Sequence, residues 1–133
     1  MPLIEALIVL LALADGVLHG SLDILLFHGD FSRGGPLPIL FLLNLVGFVV
    51  LAALFVVSRN APVARRRLVD IAIAVFAVLT FAGWIFFTRG RANPMNLGYT
   101  ARVIEVVLVV LVLVHLRSLG QRHKTALGSA AGA

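Results

Sequence analysis

The sequence contains no cysteine. Disulfides, thiolate nucleophiles, iron–sulfur clusters and cysteine-type zinc sites are therefore excluded. Charge is scarce as well, with 13% of residues charged and only six acidic side chains against eleven basic ones. So little charge cannot coat an ordinary water-soluble domain. Lysine is almost missing, because Lys124 stands alone beside ten arginines. With abundant Ala, Gly, Val and Leu, that preference points to a GC-rich prokaryotic genome. The local signatures of soluble enzymes are also lacking: there is no phosphate-cradling glycine loop, dinucleotide fingerprint or nucleophile elbow. GDFSRGG reads as a turn, since no strand–helix unit surrounds it. The start MPLIEALIVLLALADG lacks the basic opening of a secretory signal and carries Glu5, so a retained helix is expected rather than a cleaved one.

What is present is apolar side chain, 61% of the chain, with a mean hydropathy of +1.08. The composition predicts an all-α integral membrane four-helix bundle. Spans are expected over 3–27, 37–57, 68–88 and 97–116, each long enough at 1.5 Å per residue to cross a core of about 30 Å. The first connection, HGDFSRGGP, is rich in turn formers. The second, SRNAPVARRR, is short and strongly basic. Asp70 is expected in the first turn of the third helix, suited to the helix N-terminus and able to pair with the preceding arginines. Asn93 and Pro94 have the order of a helix start. Residues 118–133 are polar and then low in complexity, and are expected to form a disordered tail.

The formal charge of +5 does not indicate nucleic acid, because the basic residues lie at helix ends and in loops. They read as topology signals and as contacts to anionic lipid headgroups. The side holding both termini and the second connection carries Arg59, Arg65, Arg66, Arg67, Arg117, Arg122 and Lys124. The other side carries Arg33, Arg89, Arg91 and Arg102. Both termini are therefore expected in the cytoplasm, the protein lying in the cell (plasma) membrane. Trp84, Phe86, Phe87 and Tyr99 would form an aromatic belt at the outer interface.

Polar groups within the spans are the functional clue, because they normally face a bundle interior or a wet cavity. Asp15, His19 and Asp23, spaced four apart, share one stripe of the first helix. His19 and Glu105 both fall about 12 Å below the outer edge, and Asn44 and Thr80 come to about the same level. Asp23 and Arg102 match nearer the surface, at about 6 to 8 Å. The spacing predicts an outer-half cluster of Asp15, His19, Asp23, Asn44, Thr80, Arg102 and Glu105, with Asp23–Arg102 and His19–Glu105 as pairs. Ala12, Gly16 and Gly20 form an adjacent small-residue stripe that lets a neighbouring helix approach closely. It reads as packing within the bundle rather than as a homodimer seam.

The bland reading of the cluster is a network that holds four helices in register. The sharper one is a site for a proton, a small ligand or an ion. A metal would need three or four of Asp15, His19, Asp23, His28 and Glu105 to converge. No dense ligand motif announces that, so no metal is expected. Haem is disfavoured too: His19 is in the outer half and His115 within a turn of the inner end, too far apart to ligate one iron. His115 reads as an interfacial side chain near Arg117 and Asp70.

The histidine-bearing first helix, the segment PLPILFLLNLVGFVVLAAL, the basic middle loop and the closing GYTARVIEVVLVVLVLVHL together resemble small prokaryotic four-helix membrane proteins of the broad DoxX-like type. That resemblance implies an accessory role, in a respiratory or other electron-transfer assembly, and no catalytic residue. Two classes are therefore expected. The first is a non-catalytic subunit whose apolar faces dock on a larger membrane-protein partner within the lipid bilayer. The alternative is a protein that binds or moves a proton, ion or small ligand through its polar cluster.

Overall fold

The computed structural model describes residues 2–28, 30, 32, 35–88 and 96–131, with side chains through residue 121 except that of Thr88. Asn93, Pro94, Arg33, Arg89 and Arg91 lie outside the described residues, as do the side chains of Arg122, His123 and Lys124. Four helices account for the fold: α1 Leu3–Phe27, α2 Leu37–Val57, α3 Val63–Thr88 and α4 Leu97–Ala131. A 3₁₀ turn, Ser58–Asn60, follows α2. Each of the four is long and apolar enough to cross a membrane.

Local chemistry explains most of the boundaries. α1 stops where His28 adopts a left-handed conformation (φ 53°) and returns its N–H to the Ile24 carbonyl. Such a residue satisfies a carbonyl that the helix end would otherwise orphan. Pro36 and Pro38 open α2, where their missing N–H groups and fixed φ suit a first turn. Between these helices Asp30 accepts hydrogen bonds from the Ser32 N–H (3.0 Å) and hydroxyl (2.6 Å). Those two donors hold its carboxyl below the usual carboxylate range.

α3 and α4 are longer than their apolar spans. The third helix begins at Val63 rather than Leu68, because Pro62 ends the extended segment and its carbonyl accepts the N–H groups of Arg65 and Arg66. The arginines 65–67 are good helix formers and add a polar turn before the apolar part. Asp70 consequently lies in the second turn, not the first. The fourth helix continues to Ala131, where composition predicts an irregular tail beyond 117. No proline interrupts 117–131, and Leu119 is still buried at 3% exposure, so packing carries the helix past the apolar limit.

The helices form a ring in which α1 touches α2 and α4, and α3 touches α2 and α4. Ile8, Ala12, Phe48, Ala52, Phe55, Ile73, Ala77, Leu108 and Val112 fill its middle. Small alanines from three helices face the two large Phe rings, and Phe48 meets Phe76 edge-on at 4.9 Å. The outward faces are aliphatic and exposed, among them Leu10, Val17, Leu43, Val50, Leu79, Val103 and Val110.

The stripe on α1 seats α2. A Cβ on Gly16 would lie 3.2 Å from the Leu45 carbonyl oxygen and 3.3 Å from the Phe48 Cβ; one on Gly20 would lie 3.0 Å from a Leu45 methyl. At Gly16 the obstacles are backbone and Cβ, which cannot swing aside. Gly83 on α3 differs, since an added Cβ meets nothing nearer than 4.0 Å. Gly16→Val should therefore destabilise the bundle by about 1–3 kcal/mol through overpacking. Gly83→Ala should stay within about 0.5 kcal/mol of the parent. Unfolding of both variants in detergent micelles checks the contrast.

Candidate functional site

Polar side chains meet at two levels of the bundle. Nearer the α1–α2 and α3–α4 connections, α1 contributes Asp15 and His19 and α4 contributes Arg102 and Glu105. All four are buried, at 0, 1, 6 and 1% exposure. His19 Nδ1 lies 2.9 Å from the Asp15 carbonyl oxygen, one turn back. Nδ1 therefore carries the proton and donates, which leaves Nε2 as an acceptor. The Arg102 guanidinium donates to it at 3.0 Å. A second guanidinium nitrogen lies 2.7 Å from a Glu105 oxygen. That contact is an ion pair one turn apart on α4. His19 Nε2 is 3.9 Å from the other Glu105 oxygen.

Other residues of the expected cluster fall on either side of this centre. The Thr80 hydroxyl bridges the Phe76 carbonyl at 2.9 Å and the Asn44 side-chain oxygen at 3.1 Å, which ties α3 to α2. Asp23 does not meet Arg102. It is buried beside a shallow depression formed with Leu42 and Leu45 of α2, and its Oδ1 accepts no hydrogen bond. Arg102 turns inward because His19 and Glu105 offer acceptors, and its guanidinium carbon sits 5.4 Å from the Trp84 ring centre and 5.7 Å from that of Phe81. Those ring faces favour a cation.

His19, Asn44 and Thr80 also share a cavity of about 240 Å³ between α2 and α3. Aromatic rings of Phe41, Phe76, Trp84 and Phe87 and the side chains of Leu37, Leu40, Leu43 and Leu79 complete its wall, with Gly83 leaving space on one side. Leu43, Leu79 and Phe87 are more than half exposed, so the cavity opens sideways through the outer face of the bundle. Trp84 meets Tyr99 edge-on at 5.8 Å near this end.

The second level lies at the end that holds both termini, ten residues away along α1 and α4, or about 15 Å. Glu5 accepts from Arg59 Nε at 3.1 Å and from Arg66 at 3.0 Å. His115 pairs with Asp70 at 2.9 Å through Nδ1 and lies 3.5 Å from Glu5 through Nε2. Asp70 thus serves His115, while two of the preceding arginines, Arg59 and Arg66, go to Glu5. Sequence reasoning took Glu5 only as evidence against a signal segment and missed this role. Its signal was available: a lone acid in the first turn of an apolar helix, at the same end as a dense arginine cluster.

Comparisons with protein-family models, with curated proteins and with solved structures gave no match. The chemistry of the two levels therefore has to carry the functional reading. The level beside the termini is paired apart from one Asp70 oxygen, whereas at the level beside the α1–α2 and α3–α4 connections neither oxygen of Asp15 accepts a hydrogen bond. Buried polar atoms are almost always satisfied, so the level beside the termini behaves as a plain fastener and the other leaves a carboxylate unanswered. Asp70→Leu, which strands the His115 ring at 4% side-chain exposure, should cost about 3–5 kcal/mol. Arg59→Ala should cost less than about 1 kcal/mol, because that side chain is 37% exposed and Arg66 still holds Glu5. Denaturant unfolding in micelles distinguishes the two.

Proposed function

We propose that this chain is a small non-catalytic multi-pass protein of a prokaryotic cell (inner) membrane, with both termini cytoplasmic, that binds a small amphiphilic molecule through its outer-half polar groups. The observation that carries the reading is the lateral cavity, whose apolar and aromatic wall is interrupted by His19, Asn44 and Thr80. Ligand sites are typically apolar hollows with a few placed polar groups. At about 240 Å³ the cavity is smaller than the roughly 300–1,000 Å³ usual for a whole ligand. It suits a polar head or a single ring, with the remainder of the molecule lying among lipid tails beyond Leu43 and Leu79. The orientation rests on the basic residues of the second connection and the terminal segment. It places the cavity in the outer half of the bilayer.

The rival reading is an accessory subunit of a larger, respiratory or other electron-transfer membrane assembly, with Leu and Val of the outer faces as its docking surface. Those faces suit lipid equally, whereas the polar groups of the cavity have no purpose in docking. Purification in a mild detergent followed by native mass spectrometry separates the two. The ligand reading expects an amphiphile at about one per chain, lost in Gly83→Leu, whose side chain grows into the cavity while the protein accumulates normally. A stoichiometric larger membrane protein, with no small molecule and no effect of Gly83→Leu, would establish the subunit reading instead.

A further inference from the structure

Asp15 and His19 of α1 and Glu105 of α4 bring three potential ligand groups to one place. One donor atom from each lies within 4.8 Å of the others. All three side chains are sealed, at 1% exposure or less. The His19 Nδ1–H is committed to the Asp15 carbonyl, so Nε2 keeps its lone pair, which accepts from Arg102 at 3.0 Å with a Glu105 oxygen 3.9 Å away. A backbone carbonyl holding the far ring nitrogen is the usual arrangement behind a metal-binding imidazole. Asp15 bears the second and independent sign: it is fully buried and neither of its carboxylate oxygens accepts a hydrogen bond. Glu105 has Arg102 beside it at 2.7 Å, and a single guanidinium leaves one negative charge uncompensated when both carboxylates are ionised.

We infer that Asp15, His19 and Glu105 bind a divalent transition-metal ion, for which Arg102 is the built-in competitor. One imidazole nitrogen and two carboxylates make a borderline-hard donor set that takes zinc, manganese or ferrous iron rather than a soft monovalent ion. Around such an ion, with bonds of about 2.1 Å, neighbouring donor atoms stand about 3.4 Å apart. His19 Nε2 and Glu105 Oε1 are 3.9 Å apart, and an Asp15 oxygen now stands 3.7 Å from Nδ1, so both carboxylates must turn toward Nε2 to close the site. Arg102 must release Nε2 when the ion enters, and the faces of Phe81 and Trp84 give its guanidinium a place to remain. His19 borders the lateral cavity, which supplies a route inward. Metal binding needs no amphiphile in that cavity, and the two proposals fail separately.

The full chain, purified in detergent and stripped with a chelator, is titrated with cobalt(II) as a coloured probe and then challenged with zinc. One cobalt per chain is expected, displaced by zinc, with X-ray absorption showing one imidazole among oxygen donors. His19→Ala and Glu105→Gln should each weaken binding at least a hundredfold. Arg102→Gln should tighten it tenfold or more, a direction that a purely structural arginine would not produce. Native mass spectrometry of the stripped and the cobalt-loaded chain counts amphiphile and metal separately, so loss of the one does not mimic loss of the other. Substoichiometric cobalt in the wild type, a shell without imidazole, or equal affinity in the Arg102→Gln protein would overturn the assignment. The two wild-type measurements decide the matter even where a variant fails to fold.

Discussion

An interior that offers no water to a polar side chain constrains everything else in this bundle. Asp15, His19, Arg102 and Glu105 at one level, and Glu5, Asp70 and His115 at the other, are almost wholly buried. Each must be answered by another side chain or by backbone, because an unanswered group costs far more in such surroundings than in water. The answers come from different helices. At the level beside the termini α1 is tied through Glu5 to Arg59 and to Arg66 of α3, and α3 to α4 through Asp70 and His115. At the other level α1 meets α4 through His19 and Arg102, and α2 meets α3 through Asn44 and Thr80. Polar pairing thus sets the rotation of all four helices, and the apolar layer of Phe48, Phe55, Leu108 and their neighbours keeps the two levels apart.

The helices themselves were legible from composition, since α1 and α2 occupy the spans that apolar run length alone defines. The ends of α3 and α4 were not, because polar arginine turns and a small-residue tail continue a helix once packing supports it. Depth was legible too: counting residues from the helix ends puts His19 level with Glu105 and Asn44 level with Thr80, and these are pairs the structure brings within 4 Å. What counting cannot supply is azimuth. Asp23 and Arg102 match in height, yet Arg102 turns to His19 and Glu105 while Asp23 stays beside Leu42 and Leu45. The close approach of α2 at Gly16 and Gly20 rotates that part of α1 into its seat, and such rotation leaves no trace in one-dimensional spacing.

The two levels use the same residue types for different ends. Beside the termini, two carboxylates and a histidine meet two arginines, and the charges balance within a shell that reaches the bundle surface at Arg59, 37% exposed. At the other level two carboxylates and a histidine meet a single arginine among the described residues. A bundle needing only mechanical register would gain by replacing Asp15 with an apolar side chain of similar size, since buried ion networks are seldom more stable than well-packed hydrocarbon. Register alone therefore gives no reason for a carboxylate at Asp15. On the metal reading its burial is explained by a cation that the four helices do not supply, and the aromatic cavity reaching His19 offers a way from the bundle surface to that place.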